Sequence, residues 1–516
     1  MPAPGNADLI TTVTSGYTFA GPVIELGALV VDGDGVPGAR VRLPLAMLNR
    51  HGLIAGATGT GKTKTLQLLA EQLSGAGVPV FVADMKGDLS GLGCPGEANE
   101  KVTSRAADVG QDWVPSGHPV EYFSLGGQGP GTPIRATVTG FGPVLLAKVL
   151  DLNETQASSL ALVFHFADRA GLPLLDLKDL RATISYLVSE EGRAELAELG
   201  GLSKATAGVI LRELIGFADA GAEVFFGEPE FDTTDFLRTT DDGRGVISCL
   251  ELPGVAQQPR LFSTFLMWLL AELFQDLPEV GDPDKPRLVF FFDEAHLLFA
   301  DAADAFLERV GQTVRLIRSK GVGVFFVTQS PKDVHADVLA QLGNRVQHAL
   351  RAYTPEDAKA LKAAASTFPT SSYDLEEVLT GLGTGEAIVT VLSERGAPTP
   401  VAWTRLRAPQ SLMGPAPATV MTAAIDDSPL HGRYDVVLDR ESAYEKLAAR
   451  LAPADDDEQG DEDPEQGGRR PRRDPSLIEK VAGSSAFKSF LRSAGTVLGR
   501  EITRSVLGTA RRSGRR

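Results

Sequence analysis

The chain has 516 residues, 43% of them hydrophobic and 23% charged, which is ordinary globular composition and leaves room for a large core plus further units. A formal net charge of −17 excludes a uniformly basic, nucleic-acid-coating surface, though not a locally positive cleft. Two cysteines far apart, Cys94 and Cys249, exclude a disulfide framework and suggest no zinc site.

The first thirty residues lack the succession of a signal peptide, and no apolar run reaches the ~18 residues of a membrane span, so the expectation is a cytoplasmic protein without an integral membrane segment. Residues 1–42 read as a short β-rich module, with YTFAGPVIELGALVV followed by the turn DGDG. Residues 43–94 read as strand, glycine loop, helix, strand: GLIAG, ATGTGKT, an amphipathic run through Leu66, Leu69, Ala70 and Leu73, then VPVFVAD.

Residues 95–240 change to helical periodicity, around 145–152, 157–166, 177–188 and 205–217, and read as a mostly helical insertion. The α/β pattern resumes over 241–410. GVISCLEL is followed by an apolar helix over 261–274 and the run RLVFFFDEAH, whose unbroken apolar strand implies a sheet covered on both faces. A helix spaced on Phe306, Val310, Val314 and Ile317 then leads to the strand VGVFFVTQ and the short strand RVQHAL. Thr354 with Pro355 predicts a helix start, and IVTVL to PVAWTRL predicts a closing hairpin across ERGA.

Residues 411–451 read as a helical extension. The stretch 452–475, acidic from Asp455 to Glu465 and then basic from Arg469 to Arg473, reads as a disordered linker. Over 476–516, Phe487, Leu491, Leu498, Ile502 and Val506 share one helical face among Lys488, Arg492, Arg500 and Arg504, predicting a basic amphipathic tail. Such a tail suits docking on a neighbouring subunit, contact with nucleic-acid phosphates, or an anionic membrane surface.

The segment Gly56, Ala57, Thr58, Gly59, Thr60, Gly61, Lys62, Thr63 satisfies GxxxxGK[ST] after an apolar strand and before a helix, the setting in which that pattern is specific. The glycines let backbone N–H groups turn toward phosphate oxygens at a helix N-terminus. Lys62 adds positive charge near the β and γ phosphates, Thr63 a hydroxyl for Mg²⁺, and Lys64 completes the candidate nucleotide-binding set. Asp293 and Glu294 end the buried run LVFFF, where a carboxylate is costly unless it meets a cation or water. Asp293 is the candidate for the metal and Glu294 for base or water-positioning work.

Gln329 ends the next strand, at the edge where ligands of parallel sheets gather, and is a candidate γ-phosphate sensor or a plain polar strand end. Transition-state charge also calls for an arginine; Arg318, Arg315 and Arg351 are candidates, and Arg318, just before a strand at the opposite edge, could serve only a neighbouring subunit's site. Asp84 and Asp88, with Lys86, follow the strand next to the P-loop strand and read as contacts to metal or water, or as turn formers. His51 reads as structural.

In this order LNRHGLIAGATGTGKT, VADMKGDLSGL, FFFDEAHLLF, RLIRSKGVGVFFVTQSP and GNRVQHALRAYTPED resemble the HerA/FtsK branch of P-loop ATPases, and more closely the bacterial HerA-like proteins with a helicase C-terminal-type domain. The resemblance covers most of residues 43–410. It implies a RecA-like α/β core with a mainly parallel sheet, in which another strand separates the P-loop strand from the acidic one. It further implies ATP and Mg²⁺ as cofactors, hexameric rings, Asp293 and Glu294 as the hydrolysis pair, Gln329 as sensor and Arg318 acting across subunits. The expected function is an ATPase motor moving along a polymer, double-stranded DNA foremost. The alternative is an ATP-driven assembly switch that binds protein partners through the insertion or tail.

Overall fold

The computed structural model describes residues 5–197, 200–255, 258–299 and 304–451. The strands are β1 Val23–Val31, β2 Asp34–Pro44, β3 Gly52–Ala55, β4 Val80–Asp84, β5 Val120–Leu125, β6 Thr132–Ile134, β7 Ile247–Glu251, β8 Leu288–Phe292, β9 Val322–Thr328, β10 Asn344–Gln347, β11 Glu386–Thr390 and β12 Ala402–Leu406. They form one sheet in the order β2-β1-β12-β11-β10-β3-β9-β8-β4-β7-β5-β6. From β10 to β6 every pairing is parallel, and from β10 out to β2 every pairing is antiparallel.

The central strands are buried along their whole length, as their unbroken apolar sequences require of a sheet covered on both faces. Alternation then sorts the side chains. Val80, Val82, Val289 and Phe291 join a core with Leu66, Leu69 and Leu73 of the helix Lys62–Gly75. Phe81 and Phe290 turn to the other face and meet each other there, and Phe81 also meets Phe236 and, from the helix Pro259–Asp276, Phe265.

Registration aligns the carboxyl ends. Ala55 pairs with Thr328, Phe292 with Phe326 and Asp84 with Glu251, so the residues following β3, β9, β8, β4 and β7 emerge along one edge. β9 separates the P-loop strand β3 from the acidic strand β8, as the resemblance implies. The strand carrying Asp84 is not beside the P-loop strand, however; β9 and β8 lie between them.

Two compact units divide the chain: residues 1–136 with 219–437, which hold the sheet, and residues 137–218 with 438–516. The second is helical where described, with Val138–Val149, Glu154–Arg169, Leu177–Leu187, Arg193–Ala197 and Ala443–Leu451. Its last helix packs on Leu177–Leu187: Asp179 accepts from Ser442 Oγ and Tyr444 N, and the Lys178 ammonium sits 4.5 Å from the Tyr444 ring centroid.

Three segment boundaries differ from the sequence reading. The segment 1–42 is no separate module: a helix, Asn6–Gly16, precedes β1 and β2, and β1 pairs with β12 to extend the main sheet. The helical insertion is shorter than 95–240, because VEYFSL and TPI are β5 and β6 of the sheet. Both strands are short, so their period-2 signal is lost beside the longer helical runs. The extension 411–451 begins extended, with Ser411 N and Gln410 N donating to Glu71, before the helices Ala418–Asp426 and His431–Tyr434.

The hairpin across ERGA forms, with Ala387 opposite Thr404, and the helix at Thr354 is capped by that residue's hydroxyl. The linker 452–475 and the basic tail 476–516 lie outside the described residues. Among the described residues no helix is long and apolar enough to cross a membrane.

Candidate nucleotide site

The loop after β3 takes the shape its glycines allow. Gly59 has φ 79° and Gly61 φ 116°, both in the region closed to most side chains. A Cβ on Gly61 would also stand 3.2 Å from Gly385 N. Gly56 N donates to Thr328 O at 3.2 Å and Ala57 N to Ala349 O at 2.8 Å, which ties the loop to the ends of β9 and β10. Thr60 Oγ1 and Lys62 Nζ both donate to Ala57 O, at 2.7 and 3.2 Å. Burial lowers the Lys62 pKa, and Glu294 and Asp293 oppose that shift, so all three charges share one neighbourhood.

His348, just past β10, is a support that the sequence reading did not single out. It is fully buried, its Nε2 lies 2.8 Å from Thr65 Oγ1, and its ring borders Gly61. Burial, with the Lys62 charge adding, pushes its pKa down to about 4, so the ring is neutral. Only its place in RVQHAL, at a strand end, could have signalled it.

Asp293 and Glu294 follow β8. Asp293 is 1% exposed and its Oδ2 has no hydrogen-bond partner. Its pKa is pushed up to about 7, by burial first and then by the Glu294 charge. An orphaned buried carboxylate oxygen on the same edge as Thr63 fits a hard divalent cation, which would restore the missing charge balance. Glu294 holds the left-handed backbone conformation, φ 48°, uncommon outside glycine. Burial works to raise its pKa, but its bond to Lys86 and the charges of Lys86, His296 and Lys62 hold it below the usual glutamate value.

Gln329 is exposed at the end of β9 and lines a cavity of about 400 Å³ together with Ala57, Thr58, His296, Lys332 and Arg351. The structure thus brings the P-loop, Gln329 and Arg351 to one opening. Arg351 Nη1 also donates to Thr380 O at 3.1 Å. Arg318 lies elsewhere, ahead of β9 at the amino edge, where it and Arg50 share the Asp282 carboxylate at 3.5 and 2.9 Å. Seven residues of β9, roughly 23 Å of extended chain, separate it from the P-loop edge. Arg315 is exposed on the helix Asp304–Ile317.

Asp84 forms a turn. Its Oδ1 accepts from Lys86 N and Gly87 N and its Oδ2 from Leu89 N, at 3.1, 2.7 and 2.7 Å, so the carboxylate builds the loop that carries Lys86 and Asp88. Asp88 is half-buried with Oδ1 unpartnered. Lys64, expected to face nucleotide, instead donates to Gln67 Oε1 at 3.3 Å, and its amine is held by the charges of Asp88, Asp84 and Glu71. One helical residue beyond Thr63, its side chain projects about 100° around the axis from Thr63's. Glu251, at the end of β7, is a second residue missed by the sequence reading. Burial and the Asp84 charge raise its pKa to about 7. His51 is structural, as expected: buried, with Nδ1 accepting from Val324 N at 3.1 Å.

Residues 31–516 match the family model described as Helicase HerA-like C-terminal. The DNA double-strand break repair helicase HerA of Sulfolobus acidocaldarius is 22% identical over 386 residues, 72% of this chain and 67% of that protein. Two structures of one protein share the fold. The bacterial conjugative coupling protein TrwBdeltaN70, unbound, is 17% identical with a TM-score of 0.50, over 78% of this chain and all of that one. The plasmid coupling protein TrwB in complex with the GTP analogue GDPNP is 16% identical with a TM-score of 0.50, over 77% of this chain and 99% of that one. On its matched length, its fold and its P-loop edge, the chain belongs to the Helicase HerA-like C-terminal family, as a P-loop ATP hydrolase of the HerA/FtsK type.

Proposed function

We propose that this protein is a Mg²⁺-dependent, ring-forming motor, hexameric by family resemblance and cytoplasmic, that couples ATP hydrolysis to translocation on double-stranded DNA. The observation that carries the reading is the meeting of Lys62 with Asp293 and Glu294 at one sheet edge, where Asp293 Oδ2 is buried and unpartnered. In this reading the backbone N–H groups from Gly56 to Thr63 and the Lys62 ammonium bind the phosphates. Thr63 and Asp293 would hold Mg²⁺, which would supply positive charge beside the phosphate oxygens. Glu294 orients the attacking water and Gln329 contacts the γ-phosphate.

Arg318 suits action across subunits, because its own P-loop lies at the far edge of the sheet. Arg351, beside Thr58 and Gln329, suits contact within the chain. The S. acidocaldarius relative is a DNA break repair helicase by name, and the GDPNP complex of TrwB joins a nucleotide analogue to this fold. Both support the reading. The deciding experiment is ATP turnover with and without duplex DNA, single-stranded DNA and RNA. Stimulation by duplex DNA that weakens steeply with salt is the expected result. No stimulation by any nucleic acid would favour an assembly switch working through the helical unit.

A further inference from the structure

Glu294 is restrained from the neighbouring strand. Lys86, in the loop after β4, forms an ion pair with its carboxylate. The two partners differ in setting, since the lysine side chain keeps 48% of its surface exposed and the glutamate 7%. Lys86 is therefore not driven here by burial. Its backbone is held by the Asp84 carboxylate through Lys86 N and Gly87 N, and Gly87 turns the chain at φ 77°. On the far side His296 Nδ1 lies 3.2 Å from Glu294 Oε2. One oxygen thus meets an ammonium and the other faces an imidazole, while the backbone holds φ 48°.

A carboxylate that orients water needs a free lone pair facing that water. An ammonium bonded to one carboxylate oxygen takes one of its lone pairs, fixes the plane of the group and compensates its charge, while Oε2 is buried without a hydrogen-bond partner. We propose that Lys86 is a positioning residue that latches Glu294 through this ion pair, and that each turnover requires the latch to open. This rests on Glu294 as the water-orienting group. Because Lys86 is half exposed, it can swing away without disturbing the core. The strength of a partly exposed pair sets the scale of the effect, roughly threefold to tenfold in rate.

The test is kcat and KM for MgATP, without nucleic acid, on the full chain and on K86M, K86Q, K86R, E294Q and K86M/E294Q. K86M and K86Q should raise kcat about threefold to tenfold with KM changed less than about twofold, and K86R should return toward the slow rate. The double variant should gain nothing, there being no carboxylate to release. A kcat at or below wild type in both K86M and K86Q, with E294Q inactive, would overturn the latch alone. An E294Q variant as fast as wild type would overturn the latch together with the assignment of Glu294.

Discussion

Thr65 Oγ1 and His348 Nε2 lie 2.8 Å apart inside the core, joining the first turn of the P-loop helix to the end of β10. This bond ties the phosphate cradle to a strand that carries no phosphate ligand itself. His348→Ala should leave the Thr65 hydroxyl only its longer bond to Gly61 O, empty a fully buried ring site, and lower stability by about 1–3 kcal/mol, measured by urea unfolding. The sign of the pH effect follows from the pKa of about 4, below the ordinary histidine value. The unfolded chain binds a proton that the folded chain refuses, so stability is lost as pH falls from about 6.5 to 4. His348→Ala should remove part of that slope. His51 and His118, also lowered to about 4 by burial, contribute to the slope in the same sense.

Asp293 gives the opposite sign. Its folded pKa of about 7 lies above the ordinary 3.8, so between those values the folded chain keeps a proton that the unfolded chain has lost. That contribution to stability shrinks as pH rises through the window. Without nucleotide or metal, Asp293→Asn should therefore be more stable than wild type at pH 8, by on the order of 1–3 kcal/mol, and equal to it near pH 3.5. For the wild type, turnover should fall as pH drops below about 7, and raising Mg²⁺ should move that midpoint lower, because cation and proton compete for one carboxylate. A midpoint that ignores Mg²⁺ would count against Asp293 as a metal ligand.

Binding and hydrolysis should separate between the P-loop lysine and the acid pair, although both stand at one sheet edge. Lys62→Ala is expected to lose nucleotide binding, read with a fluorescent ATP analogue. Glu294→Gln should keep that binding while turnover drops by roughly two to four orders of magnitude.

Arg318 and Arg50 share Asp282 at the amino edge, far from the P-loop of the same chain. If Arg318 serves a neighbour, Arg318→Ala should cost about three orders of magnitude in turnover, and mixing it with Lys62→Ala should restore part of it. Mixed samples no faster than the two variants alone would rule out action in trans, as would a monomeric mass with ATP bound.

Much of this was readable without coordinates. Motifs whose chemistry is local, the glycine loop with Lys62 and the acid pair after an apolar run, are specified by residues adjacent in sequence. The same holds for the strand character of β8 and β9, because a strand buried on both faces must be apolar throughout. Helix starts capped by their own side chains, as at Thr354, belong to this class as well.

What only the tertiary structure decided is everything that depends on strands distant in sequence lying side by side. β1 and β2 looked like a separate module because they pair with each other and the further partner of β1, β12, lies far along the chain. β5 and β6 were hidden because three to six residues carry too little periodic signal to outweigh the helices after them. The acids expected beside the P-loop after β4 proved two strands removed from it, so that Asp84 shapes a turn and Lys86 reaches Glu294. Residue types and local pattern name the chemistry that a segment can perform. Parallel registration, which brings ends of distant strands to one edge, selects which of those groups meet.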